Sequence, residues 1–352
     1  MSVYRGSRRH FMENIDAIEN KLYLAPLEEV TGYVFRSVFA EFYGGVDVCY
    51  TPFIYPDAKL QFRTRDIKEF APENNQAGSF RVVPQLLTND AEAFIATARH
   101  FKSLGYDEVN LNLGCPSNTV FKKRKGSGFL AVPDKLAEFL DEICEKSDID
   151  ISIKTRIGVS DPEEFMKLAE IFAAHPIKEL IIHPRLKIDG YKGPIDYKVF
   201  AEALSTLKMP ICYNGDIKTP EDYERIKADF PGISAVMIGR GAVADPGVFE
   251  KIKGAEQGET DAKLWVFEQA LSDRYVEALG PKDALFKMKE VWSYLSLRIS
   301  DACFDMEPSE ARAVEKALKE IRKTMSPDDF RREVGKIRAI LRFAIPPKSE
   351  KP

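Results

Sequence analysis

The fold is indicated most clearly by Val109-Asn110-Leu111-Asn112-Leu113-Gly114-Cys115-Pro116-Ser117-Asn118. In an extended strand the apolar residues of this stretch lie on one face and its two asparagines on the other. Gly114 and Pro116 then end the strand, so that Cys115 lies at the start of a loop. In a parallel α/β barrel, the loops that follow the strands form the active-site face. Cys115 is therefore a candidate nucleophile, proton donor or metal ligand, and the alternative is a small residue that simply fits its position.

Size and composition indicate a globular protein. The 352 residues are enough for a barrel of about 250 residues and a smaller second domain. Hydrophobic residues make up 44% of the chain and charged residues 30%, a balance that argues against a disordered or membrane protein. No apolar run approaches the roughly 20 residues that span a bilayer. Residues 1–10 are basic but no apolar segment follows them, so we expect no secretory signal.

Cysteine and histidine usage bears on metals and on location. The five cysteines are scattered without a Cys-x-x-Cys pair, and the four histidines have no paired spacing. We therefore expect neither a disulfide framework nor a metal site, and we expect a reducing, cytoplasmic location. The net charge of −4 does not by itself indicate a polyanionic partner.

Eight segments have the pattern of buried strands, and helical patterns or long loops lie between them. The strands are predicted at 22–27, 46–53, 81–87, 108–114, 151–157, 179–184, 210–214 and 235–239, and four of the helices at 90–104, 133–146, 161–174 and 219–228. Capping signals precede three of these helices, at 88–90, 160–162 and 219–221. Eight alternations over about 230 residues predict an α/β fold, a (β/α)₈ TIM barrel; an open doubly wound sheet is the alternative.

The pattern changes after Gly254, and residues 261–343 read as helix without a strand candidate. We therefore predict a barrel domain over 1–255, an all-helical domain over 256–345 and a loose tail over 346–352.

Two neighbouring strand ends have the composition of a phosphate site. Asn214-Gly215-Asp216 follows the seventh strand and Gly239-Arg240-Gly241 the eighth, where barrels commonly bind phosphate. Glycines let backbone N–H groups approach an anion, and Arg240 adds a charge-assisted contact.

Two further polar residues lie on buried strands. Lys154 needs an anionic or hydrogen-bonding partner there, either a reduced flavin or a structural carboxylate. His183 is either a ligand contact or a core histidine bonded to the backbone.

The strongest basic run follows Cys115 directly and consists of Lys122, Lys123, Arg124 and Lys125. A solvated loop explains it, and so does a phosphate contact beside the active site in a loop that closes over substrate.

Together the strand-end motifs resemble those of the dihydrouridine synthase family, the FMN enzymes that reduce uridine in tRNA. The resemblance covers residues 20–250, and the helical C-terminal region fits the family's RNA-binding domain. The matching segments are Leu24-Ala25-Pro26, Val30-Thr31, Phe35-Arg36, Pro84-Gln85-Leu86, Asn112-Leu113-Gly114-Cys115-Pro116-Ser117, Ile153-Lys154-Thr155-Arg156-Ile157-Gly158, Asn214-Gly215-Asp216-Ile217 and Met237-Ile238-Gly239-Arg240-Gly241.

The resemblance implies a role for each matching position. Cys115 would be the general acid that protonates C5 of uracil after a hydride from flavin N5 reaches C6, and Asn112 would orient the uracil or the flavin. The target base would have to be pulled out of its RNA fold. The FMN contacts implied are Pro26, Leu27, Gln85, Lys154, His183, Asn214, Gly215, Asp216, Gly239 and Arg240. We expect Glu28 and Asn112 to line the cofactor site as well. Independently of the resemblance, we expect RNA contacts at Lys122, Lys123, Arg124, Lys125, Arg156 and Arg185.

The cofactor and partner expectations follow from the same resemblance. No Gly-x-Gly-x-x-Gly motif follows a strand, so NADPH or NADH would reduce the flavin transiently in the same cleft. We expect tRNA as partner, no membrane, and a monomer. The departures from the family pattern, at 27–30, 50–55 and 183–186, fall in the loops expected to face substrate.

Two other functions compete with uridine reduction in tRNA. One is a flavin oxidoreductase of the same fold that acts on a small molecule, and the other is an RNA-binding barrel without catalysis. The helical C-terminal region and the basic run argue against the first, and intact Cys115, Lys154 and His183 argue against the second.

Overall fold

The computed structural model describes residues 20–75 and 78–341. The expectations about a secretory signal at residues 1–10 and a loose tail at 346–352 lie outside the described residues.

Short parallel strands form a nearly closed barrel, which confirms the predicted fold. The strands are β1 (Lys21–Leu24), β2 (Val48–Tyr50), β3 (Arg81–Val83), β4 (Gln85–Leu86), β5 (Glu108–Leu113), β6 (Asp150–Arg156), β7 (Leu180–His183), β8 (Ile211–Tyr213) and β9 (Ala235–Ile238). Their order in the sheet is β3-β2-β1-β9-β8-β7-β6-β5-β4, and neighbours are parallel. The carboxyl ends of all strands therefore meet at one end of the barrel.

The predicted third strand is divided at Pro84 into β3 and β4. Proline has no amide hydrogen to donate to a strand ladder, so the pairing changes partner there. β3 pairs with β2 and β4 with β5, and the Pro84 carbonyl accepts a hydrogen bond of 2.9 Å from the Asn110 N–H. The ring is thus completed by the covalent link at Pro84, and eight predicted strands become nine.

Helices follow the strands and cover the barrel. They are α1 (Tyr33–Phe42), α2 (Thr64–Phe70), α3 (Ala91–Ser103), α4 (Asn118–Lys122), α5 (Pro133–Lys146), α6 (Glu164–Ala173), α7 (Tyr197–Thr206), α8 (Pro220–Asp229), α9 (Arg240–Ala244), α10 (Val248–Ile252), α11 (Gln257–Ala262), α12 (Leu264–Leu279), α13 (Pro281–Ala302), α14 (Pro308–Lys323) and α15 (Pro327–Ile340). Two of the three predicted caps are present, because the Asp90 side chain accepts the Ala93 N–H and Thr219 forms a capping box with Asp222.

The third predicted cap is wrong, and α6 begins at Glu164 instead of near residue 161. The Glu164 carboxylate accepts the backbone N–H groups of Val159, Ser160 and Asp161 at 2.7, 3.0 and 3.0 Å. The Glu164 side chain thus accepts the free N–H groups at the start of the helix, a role that the sequence assigned to residues 160–162. The turn formed by those residues therefore stays outside the helix.

The interior of the barrel has an apolar side and a polar side. The apolar side is a buried cluster contributed by β1, β2, β3, β7, β8 and β9: Tyr23, Ala25, Val48, Tyr50, Val83, Ile181, Cys212, Ala235 and Met237. On β4, β5 and β6 the buried residues include Gln85, Asn110 and Ser152, which are fully enclosed. Burying polar side chains is costly unless they are hydrogen-bonded, so this side must contain an internal network.

The predicted all-helical C-terminal region is confirmed as far as residue 340, and α12 packs against α1 of the barrel. The Phe267 ring contacts the rings of Phe35, Phe42 and Tyr43 edge-on, at centroid distances of 5.9, 6.2 and 5.3 Å. The domain boundary at residues 255/256 stays a prediction. Between residues 20 and 341, outside the gap at 76–77, no helix has the length and apolarity that crossing a bilayer requires.

Glu268 is a buried carboxyl group whose titration will change the stability of the helical region. It lies on α12, is 5% exposed and accepts a hydrogen bond of 3.0 Å from Trp292 Nε1. Burial raises its pKa to about 7. Because the folded protein holds this proton more tightly than the unfolded chain, its contribution to stability is present below pH 4.5 and is lost as the pH rises to about 7.

We therefore predict that Glu268→Gln removes this loss, up to about 3 kcal/mol, because glutamine keeps an acceptor for Trp292 without a charge. Melting temperatures near pH 5 and pH 8 measure the effect. Glu277→Gln, an exposed glutamate on the same helix, is the control. Equal pH dependence in wild type and Glu268→Gln contradicts the prediction.

Candidate active site

An open cleft lies at the carboxyl ends of the strands. Because it is lined from the ends of seven strands (β1, β2, β5, β6, β7, β8 and β9) and the loops that follow them, residues far apart in the sequence meet there. Its walls include most of the predicted site residues: Pro26, Leu27, Glu28, Asn112, Cys115, Lys154, Arg156, His183, Asn214, Gly215, Asp216, Gly239 and Arg240.

The loop that carries Cys115 is fixed by hydrogen bonds from both sides. Asn112 Oδ1 accepts the backbone N–H groups of Gly114 and Cys115 at 3.0 and 2.9 Å. On the other side, the Cys115 carbonyl accepts from the Ser127 hydroxyl at 2.7 Å and from the Ser127 N–H at 3.1 Å. The adjacent Gly126 has φ +55°, and a Cβ there would lie 3.0 Å from the Cβ of Cys115. The thiol therefore has a defined position in the cleft wall.

The environment of Cys115 keeps its thiol protonated. Burial raises the pKa of this thiol, and the nearby Glu28 carboxylate acts in the same direction. A backbone hydrogen bond from Ser117 and the charges of Arg156 and Lys154 act in the opposite direction without reversing the shift. A neutral thiol at a strand end is suited to donate a proton, whereas a thiolate nucleophile or metal ligand would need a lowered pKa.

Lys154 presents its ammonium group to the cleft from β6. No hydrogen-bond acceptor and no carboxylate contacts Nζ in the described part of the chain, and burial together with the Arg156 charge lowers the pKa of this group to about 8. A cation in this state gains most from an anionic or carbonyl ligand, because the protein supplies none.

His183 is neutral and surrounded by cations. Burial lowers its pKa well below the ordinary range, and the charges of Lys154, Arg156, Arg185 and Arg240 lower it further. Arg185 Nη1 lies 3.2 Å from His183 Nε2 and, as a donor-only group, makes Nε2 the acceptor. His183 therefore carries its proton on Nδ1.

Asp216 brings Arg240 of the predicted phosphate site together with Arg185, a predicted RNA contact. It has φ +40° in the turn after β8, and its carboxylate accepts from Arg240 Nη2 at 2.5 Å and from Arg185 Nη1 at 3.0 Å. Asn214 joins this turn to β9 by donating to the Met237 carbonyl at 2.8 Å. Arg240 remains half-exposed at the rim, where it can also meet an anion.

Glu28 lies between the cleft and a second, neighbouring cavity. Both Glu28 and Phe53 line the two cavities. Burial raises the pKa of the Glu28 carboxyl group to about 7, and Arg65, at 3.2 Å, opposes that shift. Its charge therefore changes near neutral pH, next to Cys115.

Three further predicted contact residues, Gln85, Arg156 and Arg185, are buried and hydrogen-bonded within the protein. Gln85 is fully buried behind Asn112 and does not line the cleft wall. Arg156 is 1% exposed and donates to the carbonyls of Gly114 and Leu186, both at 2.9 Å. Arg185 is 4% exposed and contacts Asp216 and the Gly193 carbonyl. The ligand roles predicted for these three residues stay predictions.

The basic run lies at the end of α4, outside the cleft wall. Lys122, Lys123 and Arg124 are exposed, and none of them forms an ion pair within residues 20–75 and 78–341. Lys125 is half-buried, and its Nζ lies 5.8 Å from the centre of the Tyr55 ring. Three positive charges are thus available to solvent beside the loop of Cys115.

Tyr191 lines the cleft, although the sequence did not identify it as a site residue. Its ring stacks on His183 at a centroid distance of 6.3 Å, and the guanidinium carbons of Arg156 and Arg240 each lie 5.3 Å from its centre. It lies in a loop between Gly190 and Gly193, and a lone aromatic flanked by glycines was the only signal in the sequence. Phe53, in one of the departing segments, also lines the cleft.

Comparison with known proteins places this chain in a family. Residues 23–332 match the model of the dihydrouridine synthase family. The tRNA-dihydrouridine(16) synthase of Cupriavidus necator is 31% identical over 252 residues, 70% of this chain and 77% of that protein. The tRNA-dihydrouridine synthase B of Vibrio vulnificus is 28% identical over 278 residues, 76% of this chain and 84% of that protein.

A solved structure confirms the fold class independently. Histamine dehydrogenase from Rhizobium sp. 4-9 superposes with a TM-score of 0.53 at 13% identity, over 73% of this chain and 49% of that one. Because the family match extends over most of the sequence, including every strand end that lines the cleft, this chain belongs to the dihydrouridine synthase family.

Proposed function

We propose that the protein reduces the C5–C6 double bond of uridines in tRNA to 5,6-dihydrouridine, with FMN as bound cofactor and NADPH or NADH as reductant. The observation that carries the proposal is the placement of a protonated thiol, Cys115, in the same cleft as the partnerless ammonium of Lys154. Membership of the family and the names of the relatives support tRNA uridine as the substrate.

The residues of the cleft fit a flavin phosphate. Lys154 supplies a cation without an acceptor, suited to the electron-rich edge of a flavin. Arg240 and the turns at Asn214–Asp216 and Gly239–Gly241 supply a cation and backbone donors for a phosphate. Gly241 is required there, since a Cβ would lie 2.1 Å from the Ile217 carbonyl oxygen.

The chemistry divides between cofactor and protein. Bound in this cleft, FMN would supply the hydride for C6 of the uracil. Cys115 gives its proton to C5, because its raised pKa keeps the thiol protonated at neutral pH. His183, held neutral, adds no charge to the cations around the ligand. The reductant would use the same cleft, at the carboxyl ends of the strands.

The exposed lysines at the end of α4 extend this proposal to RNA binding. We predict that the double variant Lys122→Gln/Lys123→Gln weakens tRNA binding and lowers the slope of log K against log salt by about one to two, because each lost phosphate contact removes about 0.7–0.9. The control is Lys208→Gln/Lys227→Gln, two exposed lysines at the other end of the barrel. Equal slopes for both double variants contradict the prediction.

A substrate comparison tests the proposal against its rivals. The FMN-loaded protein with NADPH or NADH is incubated with unmodified tRNA and with free uridine, and dihydrouridine is measured by mass spectrometry. We expect product from tRNA and a much lower rate with free uridine. Comparable rates on both substrates favour a small-molecule reductase, and binding of tRNA without any product favours a non-catalytic barrel.

A further inference from the structure

A chain of five buried polar side chains crosses the barrel from the loop of Cys115 to the opposite end of β5. Glu108, Asn110 and Asn112 alternate along β5 and therefore share one face, while Gln85 on β4 and Ser152 on β6 both pair in register with Asn110. Glu108 is 2% exposed, Asn112 is 7% exposed, and the other three are fully enclosed. We call these five residues the polar chain.

Four hydrogen bonds connect the polar chain end to end. They run from Ser152 Oγ to Glu108 Oε1 (2.5 Å), from Asn110 Nδ2 to Ser152 Oγ (2.9 Å), from Gln85 Nε2 to Asn110 Oδ1 (2.8 Å) and from Asn112 Nδ2 to Gln85 Oε1 (2.7 Å). In each of these four bonds, the acceptor is the residue nearer to Glu108 along the polar chain.

The two ends of the polar chain fix this direction. At one end, Glu108 Oε2 is contacted by Arg81 at 2.8 Å and Lys178 at 3.0 Å, so that the carboxylate accepts from all its partners. At the other end, Asn112 Oδ1 accepts two backbone N–H groups, which can only donate. Reversing any amide between these ends would place donor against donor or acceptor against acceptor, so each amide has one orientation that satisfies it.

The consequence is a defined hydrogen-bonding character for Asn112 in the cleft. Its oxygen is occupied by the loop of Cys115, and one of its amide hydrogens is occupied by Gln85. The other amide hydrogen is the donor that remains for a ligand.

We propose that Glu108, Ser152, Asn110 and Gln85 are positioning residues that hold Asn112 as a hydrogen-bond donor toward the cleft, for a carbonyl oxygen of a pyrimidinedione ring. This inference rests on the proposed function, because uracil and the flavin ring system both contain such a ring. The carbonyl belongs to one or the other, and the experiment distinguishes them.

The test inverts one end of the polar chain without changing its shape. In Glu108→Gln, Arg81 and Lys178 take the new amide oxygen, so the new NH₂ group faces Ser152. The Ser152 hydroxyl hydrogen has then lost its acceptor, and leaving it unpaired in the fully enclosed interior is costly, so Ser152 donates to Asn110. The reversal then passes through Gln85 until donor meets donor at Asn112. Asp150→Asn is the matched control, because Asp150 contacts Lys178 at 2.8 Å but is exposed and outside the polar chain.

We expect Glu108→Gln to lower one of two measured quantities by about tenfold relative to Asp150→Asn. Weaker FMN binding, followed by flavin fluorescence, assigns the carbonyl to the flavin. Unchanged FMN binding with a lower kcat/KM for tRNA at saturating FMN assigns it to uracil. If wild type makes no dihydrouridine, the proposed function fails, and FMN binding still tests the polar chain.

A second substitution is expected to rescue the first. In the double variant Glu108→Gln/Asn110→Asp, Ser152 donates to one oxygen of the new carboxylate at position 110. The other oxygen of that carboxylate accepts from Gln85 Nε2, so Gln85 again accepts from Asn112 as in the wild type. A purely structural role predicts that two buried changes are worse than one. Activity and FMN binding no better in the double variant than in Glu108→Gln overturn the proposal, as does no difference between Glu108→Gln and Asp150→Asn.

If Glu108→Gln fails to fold, a substitution of Ser152 tests the same proposal. Ser152→Ala leaves Asn110 without its acceptor and releases the orientation of the amides above it. We expect a several-fold loss in the same quantity, and wild-type values in Ser152→Ala overturn the proposal.

Discussion

Cys115→Ala is expected to lower dihydrouridine formation in tRNA at least about 100-fold, the usual contribution of a positioned general acid, while FMN binding is retained. The thiol lies in the cleft wall in a loop fixed by Asn112 and Ser127, and burial raises its pKa, so it is the protonated group best placed for C5. Alanine removes the proton without disturbing the backbone contacts. Single-turnover formation of dihydrouridine on the FMN-loaded protein measures the effect.

The control for this prediction is Cys144→Ala, which removes a partly buried thiol on α5, outside the cleft. At saturating FMN, turnover by the wild type should be maintained at neutral pH and fall as the pH rises past the raised pKa of Cys115, because the acid form is the active one. Wild-type turnover in Cys115→Ala would show that the proton comes from another group.

Lys154→Met is expected to weaken FMN binding by about 10- to 100-fold, because it removes a charge-assisted contact between the ammonium group and the cofactor. In the described part of the chain, no carboxylate or other acceptor competes with the cofactor for this ammonium group. Methionine keeps most of the side-chain volume. Titration of flavin fluorescence at fixed pH measures the affinity, and Lys167→Met, which removes an exposed lysine on α6, is the control.

The pH dependence of the same titration identifies the group. Because the pKa of Lys154 is about 8, its ammonium form is lost as the pH rises through that value, and wild-type affinity for FMN should weaken from about pH 7 to about pH 9. Lys154→Met should lack that decline. An unchanged affinity, or the same decline in the variant, would contradict a contact between Lys154 and the cofactor.

The features that were predictable from the sequence are those encoded locally. The alternation from Val109 to Leu113 and the break at Gly114 gave β5 and the position of Cys115, and similar signals gave the other strand ends. Pro84 was visible as a residue without an amide hydrogen, but its effect depends on which strands lie beside it. The start of α6 was ambiguous because Ser160 and Glu164 both carry capping groups, and only packing decides between them.

The features that were not predictable depend on contacts between distant segments. Tyr191 reaches His183 through the path of its own loop, which no periodic pattern encodes. The polar chain requires the register of Gln85 and Ser152 against Asn110, and a shift of one residue would turn these side chains out of the barrel. The departures near Glu28 were recognised in the sequence, but the pKa of about 7 arises from burial.

The most direct test of the proposed reaction is the position-by-position content of dihydrouridine in tRNA from cells that lack this gene, with wild type and Cys115→Ala each added back. We predict that specific dihydrouridines disappear, return with wild type and do not return with Cys115→Ala. An unchanged dihydrouridine profile in the cells without the gene would contradict the proposed function.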